Sequence, residues 1–125
     1  MTANQKIESS CHCGALKLQI DAEVPTSLTA CNCSVCRRYG SLHAYYHPSK
    51  VTVIAESNAT QEYSWGDKGL AFVRCGNCGC YSYWRSLDPN NTDRMGVNAR
   101  LFTNVEIDKI RVRQFDGADT WKFLD

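Results

Sequence analysis

At 125 residues the chain is the size of one domain, with room for a modest core. Lys and Arg total 14 against 13 Asp and Glu, and the net charge of +1 leaves no electrostatic footprint for nucleic acid or an acidic membrane surface. Eight cysteines are too few for a disulfide-dense scaffold and too many for ordinary usage.

In chain order, the N-terminal Met1-Thr2-Ala3-Asn4-Gln5-Lys6 is polar. It has no apolar stretch of the ~7–15 residues that a secretory signal needs. Nowhere do ~18 apolar residues run together, so no spanning helix is expected. The chain therefore reads as cytoplasmic with reduced thiols, where clustered cysteines are first of all metal ligands or catalytic groups. Ala15 to Ile20 alternates apolar with polar and predicts a half-buried strand. Ser41 to His47 is rich in aromatics, and Val51 to Ile54 is β-branched. Gln61 to Trp65, Leu70 to Arg74, Tyr81 to Arg85, Arg94 to Asn98 and Ile110 to Phe115 also read as strands. Asn58, Gly66-Asp67, Gly69, Asp88-Pro89-Asn90-Asn91 and Asp116-Gly117 supply the turns between them. Helical turns are expected only in Cys31 to Tyr39 and Asn104 to Lys109. This spacing of short strands predicts an all-β domain.

Seven cysteines fall into three sets: Cys11-His12-Cys13, Cys31-Asn32-Cys33-Ser34-Val35-Cys36, and Cys75-Gly76-Asn77-Cys78. Cys80 follows the third set. Residues two apart on an extended chain point to one side, so Cys11 and Cys13 are placed to bind one atom rather than each other. Cys75-x-x-Cys78-Gly79 has knuckle spacing, in which a tight turn brings two thiolates to one metal. Pairing Cys11 and Cys13 with Cys75 and Cys78 gives a closed four-sulfur site, the pattern of structural zinc. Cys31, Cys33 and Cys36 supply only three sulfurs, and three ligands with an open position is the pattern of catalytic zinc. Two zinc ions per chain follow. Cys80 closing the second site, a redox pairing of thiols and an iron–sulfur cluster stay open as rivals.

Cys11-x-Cys13-Gly14, then Cys31-x-Cys33-x-x-Cys36-Arg37-Arg38 with Gly40, then Phe72-x-x-Cys75-x-x-Cys78-Gly79, resembles the glutathione-dependent formaldehyde-activating enzyme family, which includes the centromere protein V group. Met95-Gly96-Val97-Asn98, Leu101-Phe102 and Asp119-Thr120-Trp121 add to the resemblance, which runs from about Ile7 to Trp121. It implies a single zinc-binding domain over residues 1–125, with bent antiparallel sheets stapled by zinc, often called a β-tent. It implies the same partition of cysteines: Cys11, Cys13, Cys75 and Cys78 structural, and Cys31, Cys33 and Cys36 at the active-site metal. The implied reaction is condensation of glutathione with formaldehyde to S-(hydroxymethyl)glutathione and its reversal, the work of a carbon–sulfur lyase. Such proteins usually carry Thr or Ser where this chain has Cys80, which is either a ligand of the second metal or a free cysteine behaving as a small hydrophobe.

Glutathione needs anchors for two carboxylates, and Arg37, Arg38 and Arg74 are candidates, set against an ordinary solvated role for each. Tyr45, Tyr46 and Trp84 are expected either to wall a pocket or to fill core. His12 is expected to face away from the metal, and His43 and His47 to share a strand face with Tyr45, where either could shuttle protons. The partners implied are a small thiol such as glutathione and a small aldehyde, with no nucleic acid and no membrane. Exposed strand edges make a homodimer reasonable. The competing reading is a zinc-stapled binding module without chemistry; a methionine sulfoxide reductase type of redox enzyme fits the cysteine layout less well.

Overall fold

Leu16, Leu18 and Ile20 are fully buried and Lys17 is exposed, so the alternation in the sequence becomes strand β2 (Leu16–Ile20). The computed structural model describes residues 6–125, so the N-terminal reading of residues 1–5 lies outside the described residues. Strand β2 sits between β1 (Ile7–Ser10) and β5 (Val51–Ala55) in a three-stranded antiparallel sheet.

The second sheet has seven strands. They are, in spatial order, β10 (Arg111–Phe115), β3 (Ser27–Cys31), β4 (His43–Tyr46), β9 (Met95–Asn98), β8 (Tyr81–Ser86), β7 (Leu70–Cys75) and β6 (Thr60–Tyr63). The molecule is therefore nearly all-β, as expected. One pair departs from the antiparallel arrangement that the resemblance implied: β10 lies parallel to β3, with Phe115 opposite Cys31. A parallel neighbour needs a long return path, and the whole chain between the two strands provides it.

Among the described residues, helix is confined to α1 (Ser34–Tyr39) and three short 3-10 turns at Pro48–Lys50, Ala99–Leu101 and Ile107–Lys109. Cys31, expected within the helical segment, instead ends β3, and Asn104 to Lys109 holds only the last of those turns. The turn Pro48–Lys50 is capped by His47, whose Nδ1 accepts from the Ser49 amide, so His47 lies past the strand that carries His43 and Tyr45. Strands β1 and β3 were not foreseen. In β3, neighbours on both edges supply the hydrogen bonds that its small and polar residues would not have advertised.

The main core joins both sheets: Ile7, Leu16, Leu18 and Ile20 meet Leu28, Val73, Tyr83 and Val97. A second, aromatic core of Phe72, Tyr81 and Trp84 packs with Val35 and Tyr39 of α1. A register shift between Val73 and Arg74 creates it. Tyr81 and Trp84 are three residues apart and would face opposite ways on a regular strand; the bulge turns both into the same aromatic cluster. Gly96, opposite Trp84, leaves room for the indole, which a Cβ there would strike. No helix among the described residues is long and apolar enough to cross a membrane.

Candidate metal centres

Two hairpin tips build the first sulfur group. Cys11 and Cys13 lie in the turn from β1 to β2, closed by a Cys11 N–H bond to Leu16 C=O at 2.9 Å. Cys75 ends β7, and Cys78 sits in the turn to β8, where Gly79 at φ +83° donates its N–H to Cys75 C=O at 2.9 Å. The four Sγ atoms lie within 4.8 Å of one another. Cys11 and Cys13 are 3.7 Å apart, and Cys13 and Cys75 are 3.6 Å apart. A tetrahedral zinc with bonds of about 2.3 Å holds its sulfurs about 3.8 Å from one another, so the set fits the ion.

Backbone amides also point at these sulfurs. Leu16 N–H donates to Cys11 Sγ at 3.3 Å, and Asn77 and Cys78 N–H both donate to Cys75 Sγ at 3.4 Å. Such donors favour thiolates. The amides of Cys80 and Cys13 pull the Cys78 thiol down to about 5, while burial pushes Cys11 up to about 11. Four thiols this close do not all ionise without a cation between them, and a divalent metal removes the conflict.

Strand, helix and C-terminal loop build the second group. Cys31 ends β3, Cys33 is the N-cap of α1 and Cys36 lies in its first turn. Their Sγ atoms are within 4.8 Å of one another. Cys33 Sγ accepts the Cys36 N–H at 3.4 Å, the role an Asp or Ser plays at other N-caps. Gly40 closes the helix at φ +67°, with its N–H on Cys36 C=O at 3.0 Å. Burial pushes the Cys36 thiol well up and raises Cys31. At Cys33 burial opposes ionisation, and the amide of Cys36 with its neighbours outweighs it.

The C-terminal loop completes this group, and nothing in the cysteine spacing announced it. Asn32 Nδ2 donates to Asp116 Oδ1 at 2.9 Å, and Ala118 N–H donates to Asn32 Oδ1 at 2.9 Å. Those bonds bring the Gly117 backbone against Cys31 Sγ. A Cβ at Gly117 would stand 2.5 Å from that sulfur. The sequence marked Asp116-Gly117 only as a turn.

Cys80 belongs to neither group. It lies just before β8 and against Cys78, at the rim of the four-sulfur set. It is thus held away from the three-sulfur set that it was a rival to close. His12 is exposed.

A cleft of about 450 Å³ is lined by Ser27, Thr29, His43, Tyr45, Arg94 and Phe123 among others. Ser27, Thr29 and Cys31 alternate along one face of β3, so two cleft residues share a strand face with the first sulfur of the group. Of the two roles open to these aromatics, Tyr45 and Tyr46 form part of its wall; Trp84 packs in the aromatic core, its ring 6.2 Å from that of Tyr45. His43 is fully buried, its Nε2 2.8 Å from the Tyr81 hydroxyl, and desolvation pulls its pKa down to about 4. It stays neutral at pH 7. Of the expected anchors, Arg38 bonds Ser34 C=O at 3.0 Å and Arg74 bonds Gln61 Oε1 at 2.9 Å, while Arg37 is exposed. Arg94, which the sequence offered only as the start of a strand, reaches the cleft instead.

A profile of the glutathione-dependent formaldehyde-activating enzymes matches residues 6–114. The chain belongs to that family. All seven clustered cysteines and Arg94 fall inside the matched span of the formaldehyde-activating enzymes, and Gly117 falls beyond it. The fold recurs in the crystal structure of a Rhodobacter sphaeroides protein, a Northeast Structural Genomics target, with a TM-score of 0.70 at 24% identity. That match covers 84% of this chain and 98% of the other.

Proposed function

We propose that this chain is a zinc-dependent carbon–sulfur lyase/synthase that joins a thiol such as glutathione to a small aldehyde such as formaldehyde, and runs the reverse cleavage. Two zinc ions are bound, one held by Cys11, Cys13, Cys75 and Cys78 for structure and one held by Cys31, Cys33 and Cys36 for chemistry. The observation that carries the reading is a three-sulfur group with no fourth Cys, His, Asp or Glu ligand among the described residues. Family membership supports the substrates.

Zinc bound there supplies a Lewis acid and keeps a thiol ionised at neutral pH. The chain's own residues do the rest. The Cys36 amide fixes the orientation of Cys33, and the backbone of Gly117 packs directly against the Cys31 sulfur. The cleft brings two small reactants together in one orientation, which is the main source of rate in an addition that also proceeds unaided. In synthesis the sulfur lone pair forms the carbon–sulfur bond, the carbonyl π pair moves onto oxygen, and the proton lost by the thiol ends on that oxygen. Cleavage reverses each movement, with no net oxidation or reduction.

Exchange NMR with carbon-labelled formaldehyde and glutathione tests the proposal against the uncatalysed background. The zinc-loaded protein should exchange adduct and aldehyde well above background. Cys36→Ser should stay folded, keep one zinc and fall to background. A fully active Cys36→Ser, or wild-type protein at background, contradicts it.

A further inference from the structure

Arg94 presents a cation to the cleft. Its guanidinium carbon lies 4.5 Å above the Tyr45 ring and 6.0 Å from the Trp84 ring. Stacking holds the guanidinium by its face and leaves its N–H edges free to meet a ligand. No carboxylate among the described residues pairs with it, although Glu23 lines the same cleft. The neighbouring cation is engaged: Arg113 stacks on Phe123 at 3.7 Å, and its Nε lies 3.5 Å from Asp125.

The position of Arg94 also sets a length. Thr29 pairs with His43, two residues before Tyr45, and Thr29 and Tyr45 line the same cleft, so the guanidinium over the Tyr45 ring sits by the Ser27–Thr29 stretch of β3. From Thr29 to Cys31 along the strand is about 7 Å. A thiol with its sulfur at the cysteine group meets Arg94 only through a carboxylate several bonds away. The carboxylate of free cysteine lies too close to its own sulfur.

We propose that Arg94 is the carboxylate anchor of the thiol substrate, and that the site selects peptidyl thiols with a remote carboxylate over short or esterified ones. This rests on the reading of the three-sulfur group as the reacting centre. A fork of N–H donors on a carboxylate is the geometry that Arg supplies and Lys does not.

Isothermal calorimetry on the zinc-loaded protein tests the anchor, with glutathione, glutathione diethyl ester and cysteine as probes. Wild-type protein should bind glutathione about tenfold more tightly than the ester or cysteine, the size of one charge-assisted contact. Arg94→Gln should lose that tenfold for glutathione and leave ester binding unchanged, with Arg94→Lys between them. In turnover, Arg94→Gln should raise KM for glutathione about tenfold at unchanged kcat. Unaltered glutathione binding in Arg94→Gln, or a wild type that binds the ester as tightly as glutathione, overturns the anchor. Selective binding without turnover supports the anchor and overturns the carbon–sulfur reading. Turnover with an unchanged KM in Arg94→Gln overturns the anchor alone.

Discussion

Gly117 has no room for a side chain, because the Cys31 sulfur stands where its Cβ would project. Gly117→Ala should therefore push the loop off Cys31 and weaken metal binding at the three-sulfur group. Metal analysis should give close to one zinc instead of two, with a melting temperature within a few degrees of wild type. Two tightly held zinc ions in Gly117→Ala would contradict this. His43 carries a different prediction. Its folded pKa of about 4 lies below the ordinary value of 6.5, so between these the unfolded chain binds more protons than the folded one. Its contribution to stability is full above pH 6.5, falls as pH drops below that, and is gone by about pH 4. The loss is on the order of 3 kcal/mol. His43→Gln, which can still meet the Tyr81 hydroxyl, should lack that part of the acid destabilisation. Denaturant titrations across this range at saturating zinc measure the difference, and parallel curves would refute it. The cysteines were legible at this scale because thiol spacing is a local property. Gly117 and Arg94 were not, because each acts on a strand far from it in sequence.

At the scale of elements, the four-sulfur group links the β1–β2 and β7–β8 hairpin tips, one from each sheet. Structural zinc contributes roughly 10–16 kcal/mol in small peptides. A whole domain is stable by only about 5–15 kcal/mol. Cys75→Ser, at a fully buried ligand position, should therefore give insoluble or molten protein. A cooperative thermal melt by circular dichroism with one zinc missing would contradict the structural role. The alternation that placed β2 and the turn residues between strands were visible in the sequence, since both depend on near neighbours. The bulge that turns Tyr81 toward α1 was not. Neither was the parallel seat of β10, which follows from long-range pairing. Cys33 as an N-cap was hidden as well, because its cysteine was counted as a ligand and the helix was expected to begin at Cys31.

For the whole molecule, the division of labour among eight cysteines decides what the chain does. Four sulfurs gather at two hairpin tips, one from each sheet, three gather where β3 meets α1, and Cys80 lies at the rim of the first group. The binding-module alternative requires both metals to be fully ligated by the protein. The enzyme requires one of them to accept an outside thiol. Cadmium NMR of the metal-substituted protein separates the two directly. Two resonances are expected, one from four-sulfur and one from three-sulfur ligation, and added glutathione should move only the second. Two four-sulfur resonances, both unmoved by glutathione, would contradict the enzyme reading.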